Sequence, residues 1–264
     1  MSLLTKALRS IERRSARLLF RRPQLIRTEQ PYISFTFDDF PRSALHTGGE
    51  ILKKFGLAGT YYTALGLLGT ESPSGPVCDA DDLRKAILDG HELGCHTFAH
   101  CDAWHTPSGS FEESILRNRA ALRDLLPDAE FKTMSYPISE PRLMVKRRSS
   151  AHFGCCRAGG QRFNARSFDR NLLAAFFLEQ AGGNLETVRE LIRANARSRG
   201  WLIFATHDIS PRPSAFGCTP EFFEAVVRSA VESGARILPV WQAFEQIATA
   251  SVRGRDLRSA VADA

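Results

Sequence analysis

The sequence predicts an α/β protein whose parallel sheet is closed, or nearly closed, into a barrel. Three observations carry that expectation. Strand-like apolar segments alternate with segments of helical period about seven times between Pro31 and Ala248. Residues of functional type stand directly after four of those strands, at Asp38-Asp39, His96, Tyr136-Pro137 and His207-Asp208, and in α/β barrels functional groups gather at the carboxyl ends of strands. A chain of 264 residues can also bury one core of barrel size.

The expected elements follow in order. Tyr32–Phe37 reads as the first strand and Ala44–Phe55 as a helix closed by Gly56. Gly59–Thr63 is a second strand and Glu71–Pro76 a loop. Asp79–Asp89 is a helix with acids in its first turn and Gly90 just past its end, which suits both dipole and cap. Glu92–Cys95 is a short strand, Phe111–Leu126 an amphipathic helix, and Phe131–Tyr136 a strand stopped by Pro137. Phe153–Cys156 and Leu172–Phe177 read as strands around Gly159-Gly160. Leu185–Ser198 is a helix, Trp201–Thr206 a buried strand, Pro220–Glu232 a helix, Arg236–Val240 the last strand and Trp241–Ala248 the last helix. The tail, 251–264, is charged, poor in apolar residues and expected to be flexible.

The basic charge is confined to one segment. Lys6, Arg9, Arg13, Arg14, Arg17, Arg21, Arg22 and Arg27 stand against Glu12 and Glu29 in residues 1–30, which accounts for the whole net charge of +6. The remaining chain, residues 31–264, is formally neutral, so a nucleic-acid partner has no electrostatic support. Leu4, Leu8, Ile11, Ser15 and Leu18 share one helical face among those cations. Three readings stay open for this segment: a helix packed on its own domain, a basic amphipathic segment on an anionic membrane surface, or an organelle transit peptide. Pro23 and Pro31 bracket an expected linker. The chain is 43% hydrophobic and 24% charged, with no apolar run of membrane-spanning length. Its six cysteines lack the spacing of a disulfide framework, and the N-terminus lacks a continuous apolar core of signal type. Reduced thiols in a cytoplasmic protein are the expectation.

The paired acids after the first strand organise the chemistry. Adjacent like charges ask for a cation or for divergent roles. Asp39 with His96 and His100, at i and i+4, has the composition of a catalytic zinc-type site with open positions. Cys95 and Cys101 flank these histidines and raise a rival structural zinc of two Cys and two His. That rival leaves Asp38-Asp39 and His207 unused, and Cys95 and His96 point to opposite faces of a strand. His91, His105 and His152 read as surface or capping groups.

Thr36-Phe37-Asp38-Asp39, His96-Thr97-Phe98-Ala99-His100, Ser135-Tyr136-Pro137 and the strand ending in His207 resemble, in this order, the motifs of the NodB-type polysaccharide deacetylases, carbohydrate esterase family 4. The resemblance covers roughly residues 31–245. It implies a deformed (β/α) barrel of about seven parallel strands, the NodB homology domain, with a divalent metal, zinc or else Co, Ni or Mn. It implies hydrolysis of an acetyl group from an N-acetylated polysaccharide or oligosaccharide. The matching positions make Asp39, His96 and His100 the metal ligands, Asp38 the catalytic base and His207 the general acid. Tyr136 and Ile138 stand in the segment expected to position substrate, the Ile138 amide facing the oxyanion.

Three departures from the family pattern bear on the site. Phe40-Pro41 replaces the usual Gly after the acid pair, and Phe40 is expected to alter the groove wall. Ser135 stands where the family carries an Arg that orients the base, and Arg170 is the expected replacement. Ser139 replaces a usual Gly. The substrate expectation is an acetylated glycan or a lipid-linked sugar, met in a bacterial cytoplasm, with the inner membrane surface reached through residues 1–30. Two alternatives accompany it: an O-acetyl sugar esterase and a catalytically weak carbohydrate-binding protein.

Overall fold

Parallel strand pairing organises the chain. The computed structural model describes residues 3–262, with side chains described from Ser10 to Ser251; Leu4, Leu8 and the side chains of the tail lie outside that range. The strands are β1 (Pro23–Leu25), β2 (Tyr32–Phe37), β3 (Thr60–Thr63), β4 (Glu71–Ser72), β5 (Gly75–Pro76), β6 (Glu92–Cys95), β7 (Thr133–Ser135), β8 (Cys155–Arg157), β9 (Ser167–Asp169), β10 (Phe176–Phe177), β11 (Trp201–Thr206) and β12 (Arg236–Ile237). The helices are α1 (Leu3–Leu18), α2 (Glu50–Lys54), α3 (Ala80–Leu88), α4 (Ser108–Leu125), α5 (Leu143–Ser149), α6 (Leu185–Ser198), α7 (Pro220–Glu232) and α8 (Val240–Ala262).

Seven strands lie in the order β10-β11-β2-β3-β6-β7-β8, all pairs parallel. The curled sheet is the expected deformed barrel. Its distortion has a local cause at β2. The amino-terminal half of β2 pairs with β12 through Tyr32 and Ile33, and only Thr36 and Phe37 pair with β3. On the other side, Leu173 N–H donates to the Cys156 carbonyl and Ala158 N–H to the Leu173 carbonyl, so the segment before β10 leans on β8.

β2 and β11 are buried along their whole length, as parallel strands covered on both faces must be. Phe35 stacks on Phe204 at 5.6 Å and meets Phe223 of α7 edge-on, while Phe37 stacks on Tyr61 at 4.7 Å. Each such buried ring contributes roughly 1.5–3 kcal/mol by apolar burial. This cluster lies under the acid pair and fixes where β2 ends.

Several elements differ from the sequence expectation. The helix expected over 44–55 is a π-type turn at Ala44–Gly49 followed by α2. Gly48 and Gly49 permit the close approach there: an added Cβ would meet Ile209 and the Tyr61 hydroxyl at 2.9 Å. The expected loop at 71–76 contains the β4–β5 hairpin. Helix α5, in a stretch with a basic run, forms because Val145, Lys146 and Ser149 are buried against neighbours. The last helix does not stop at Ala248 but continues to Ala262.

The expected linker after Pro23 is strand β1, paired antiparallel with β9. The carboxyl end of α1 is fastened beside it. The fully buried Lys146 ammonium donates to the carbonyls of Ala16 (2.7 Å) and Leu19 (2.9 Å) and to Asp169 (2.6 Å). A buried cation needs such partners, and the last carbonyls of a helix are natural acceptors. Arg17 pairs with Glu140 at 2.9 Å and Arg142 with Glu12 at 2.6 Å. Yet Ile11 and Leu18 remain 60% and 69% exposed, so the domain does not cover their stripe.

Candidate active site and metal centre

Strand ends of the sheet converge on a cavity of about 670 Å³ lined by Asp38, Asp39, His96, His100, Tyr136, Ile138, Arg157, Glu179 and His207, among others. The backbone here is under unusual constraint. Of nine non-glycine residues with positive φ among those described, six lie at or beside the site: Asp39 (61°), Phe40 (48°), Thr97 (58°), His100 (49°), Ile138 (64°) and Gln161 (52°). Such conformations persist where the surrounding structure over-determines them, and functional sites are where they concentrate.

Asp39, His96 and His100 present ligand atoms all within 4.8 Å of one another. The His100 Nε2 lies 3.0 Å and the His96 Nε2 3.4 Å from Asp39 Oδ1. That oxygen is buried without a hydrogen-bond partner. His96 is prepared as a ligand: its Nδ1 lies 2.9 Å from the Ser135 carbonyl oxygen, which can only accept, so Nδ1 carries the proton and Nε2 keeps the lone pair. Burial pushes its imidazolium down to about 4, which keeps the ring neutral. Asp39 opposes its own burial through His100 and His96 and stays well below the usual carboxylate range. Burial works against charge on His100 as well, but Asp39 more than offsets it and raises its pKa. Two neutral-capable imidazoles, one carboxylate and an orphaned oxygen fit a divalent cation.

Cysteine takes no part in this group. Cys95 points into the core, accepts from Asn118 at 3.3 Å, and burial pushes its thiol up to about 11. The rival zinc site with two cysteines therefore does not form. The six cysteines are free.

Asp38 is buried, and its burial penalty is outweighed by Arg157, His96 and His207, so its carboxyl lies below the usual range. Arg157 donates from Nη2 to both oxygens of Asp38 and to Ser135 Oγ. This corrects the expectation for Arg170, which does not line the cavity and lies over the Phe244 ring at 5.3 Å. The reason is register. β7 and β8 pair in parallel with Ser135 opposite Arg157, so the guanidinium reaches across from the next strand into the space a small Ser leaves. Its Cζ lies 5.2 Å from the Tyr62 ring and 5.3 Å from that of Phe177, a cation–π sandwich. Tyr62 packs there because Gly94 has no Cβ; one would come within 2.4 Å of the ring. An Arg directly after the expected strand Phe153–Cys156 was the available signal, and a Ser at the preceding strand's end was its complement.

The remaining expected residues divide. His207 lines the cavity with Nε2 3.9 Å from Asp39 Oδ2, and its Nδ1 lies 3.3 Å from the Phe216 carbonyl. Ile138 lines the cavity, and its backbone N–H has no acceptor among the described residues. Tyr136 forms a wall, but its hydroxyl donates to the Asn171 carbonyl at 3.2 Å and is not free for substrate. Phe40 does not alter the groove. Its side chain is fully buried against Tyr61, with ring centroids 4.5 Å apart, because the left-handed backbone turns it inward. Asp208 holds the following loop by accepting from Ser214 N (2.8 Å) and Oγ (2.5 Å). His91 is buried rather than on the surface; it accepts from Gly59 N–H, and burial lowers it to about 4.

Comparison with known proteins agrees with this geometry. Residues 26–152 match the sequence model of a family described as polysaccharide deacetylase. No curated protein sequence matches the chain significantly. Among solved structures, a mutant of the peptidoglycan deacetylase PdaC from Bacillus subtilis superposes with a TM-score of 0.59 at 17% identity, covering 88% of this chain and 97% of that one. The chitin deacetylase of Colletotrichum lindemuthianum gives 0.58 at 17%, covering 83% and 88%. A family 4 acetyl xylan esterase from Clostridium thermocellum, in complex with a cobalt ion, gives 0.55 at 18%, covering 81% and 91%. At these identities the likeness is one of fold.

Proposed function

We propose that this chain is a NodB-type polysaccharide deacetylase of carbohydrate esterase family 4, a metal-dependent hydrolase removing acetyl groups from an N-acetylated glycan. One observation carries the reading: the Asp39-His96-His100 group and the Asp38–Arg157 pair open into the same cavity.

Asp39, His96 and His100 would hold a divalent cation, and their two imidazoles and one carboxylate favour zinc, with Co, Ni or Mn as substitutes. When bound, such a cation polarises an acyl oxygen and acidifies water. Asp38, kept ionised by Arg157, accepts a proton from the water that attacks the acetyl carbon. The Ile138 amide donates to the oxygen on which negative charge develops. His207 delivers a proton to the departing nitrogen, so that amide and water become amine and acetate. Removal of an O-acetyl group would use the same residues, but nothing in the cavity favours it. The intact base and its arginine argue against a purely binding role. Acetate release from N-acetylglucosamine oligomers, lost on metal removal and restored by Zn²⁺, tests the reading; metal-independent release would contradict it.

The finer substrate reading is a lipid-linked sugar at the cytoplasmic face of a membrane. No helix among the described residues is long and apolar enough to cross a bilayer. Support comes from α1, whose Ile11–Leu18 stripe stays uncovered beside Arg14 and Arg21, while Arg17 reaches Glu140 on the cavity rim. Basic charge next to exposed apolar residues suits an anionic surface. Deleting residues 1–30 would also strip Lys146 of two of its three partners, the Ala16 and Leu19 carbonyls, so Ile11→Asp with Leu18→Asp is the cleaner variant. It should abolish flotation with anionic vesicles and spare hydrolysis of a soluble oligomer; undiminished flotation would reject the membrane contact.

A further inference from the structure

Glu179 stands in the short turn Leu178–Ala181 that follows β10 and lines the same cavity as Asp38. One of its carboxyl oxygens, Oε2, is buried without a hydrogen-bond partner. Seven buried side-chain atoms among the described residues share that condition, and three belong to residues of this cavity: Asp39 Oδ1, Arg157 Nε and Glu179 Oε2. The metal group accounts for the first. The other two are a donor without an acceptor and a carboxyl oxygen without a donor. Buried polar groups are rarely left so, and what enters the cavity is the natural partner.

Charge decides the form in which Glu179 is held. Burial, and then Asp38, push its carboxyl up to about 7, against the pull of Arg157. A bare buried carboxylate oxygen costs more than the neutral acid does. Cys218, also close, is pushed by burial up to about 12 and remains a thiol at neutral pH. Asp38 is held as the carboxylate.

We propose that Glu179 is a substrate-binding residue that, as a neutral carboxylic acid, donates a hydrogen bond to a hydroxyl or ring oxygen of the sugar, beside the donor Arg157 Nε. The wall they form takes an uncharged polar substituent and disfavours an anionic one next to Asp38. The proposal rests on the deacetylase reading and names a recognition feature of that site. No covalent step involves Glu179.

The test compares wild type, Glu179→Gln and Glu179→Ala on N-acetylglucosamine oligomers. Gln keeps a neutral donor, so near pH 6 its KM should stay within about three-fold of wild type, while Ala raises KM about ten-fold with a smaller change in kcat. Toward about pH 8.5 the wild-type KM should climb and that of Glu179→Gln should not; His207 is common to both proteins and cancels in the comparison. A Gln variant as impaired as Ala near pH 6, or an Ala variant with wild-type KM, would overturn the proposal. Infrared difference spectra between wild type and Glu179→Gln supply a readout without turnover. A protonated carboxyl band near pH 6 that fades by about pH 8.5 is expected, and its absence overturns the proposal whatever the activity. The band present, with no acetylated glycan turned over, would instead overturn the deacetylase reading and the substrate role with it.

Discussion

The two sides of the cavity are built in different ways. The metal side comes from the end of β2 and the turn 96–100, where left-handed backbone at Asp39, Thr97 and His100 sets the side-chain directions. The arginine side comes from β8 and β10, where Arg157 is placed by strand register and by the rings of Tyr62 and Phe177. Backbone fixes the first and packing fixes the second. A substitution on the metal side would therefore remove a proposed ligand outright, whereas one on the arginine side would shift the position and charge of a group that still exists.

The largest effect should follow from breaking the metal side. His96→Ala deletes a proposed ligand whose Nδ1 is already anchored on the Ser135 carbonyl, and should cost metal binding together with about 10³-fold or more in kcat/KM. Titration with Zn²⁺ alongside acetate release checks both, and retained stoichiometric metal would separate His96 from the centre. Breaking the arginine side should cost less. Arg157→Ala leaves Asp38 buried without its cation, and about 10²-fold in kcat is expected with metal still bound. The sign of its pH effect follows from the folded pKa. Asp38 is lowered by Arg157, so base activity is present above that value and lost as pH falls through it; removing Arg157 raises the value and moves the acid limb of kcat/KM to higher pH. An acid limb that stays put in Arg157→Ala would show that the guanidinium does not hold the base. The smallest effect belongs to Phe40, which neither side uses. Phe40→Leu should lower stability by about 1 kcal/mol in denaturant melts and leave KM unchanged.

The same contrast explains what the sequence could reveal. Asp38-Asp39 and His96…His100 each follow directly after a strand that the sequence indicated, so their meeting at one end of the sheet was legible. The full-length strands β2, β6 and β11 and the helices α6 and α7 were legible for the same reason, since burial and periodicity agree there. Arg157 was not, because its role exists only through pairing with Ser135 across two strands of three residues each. Arg170 looked equivalent in sequence, yet its carbonyl accepts from Cys156 N–H and its side chain lies over Phe244. Phe40 misled for a related reason: at a strand end its direction depends on a positive φ that composition does not disclose. Helix α5 and strand β1 were hidden because tertiary partners, Lys146 with the end of α1 and β9 with β1, stabilise segments of weak intrinsic pattern.

Asp38 belongs to both sides, adjacent in sequence to a ligand and paired in space with Arg157. The most direct test is therefore Asp38→Asn, with zinc content and acetate release measured on one preparation. The account predicts full zinc occupancy, with turnover reduced by about 10²–10⁴-fold relative to wild type. Turnover close to wild type in the zinc-loaded variant would contradict the assignment of Asp38 as the base, and with it the mechanism.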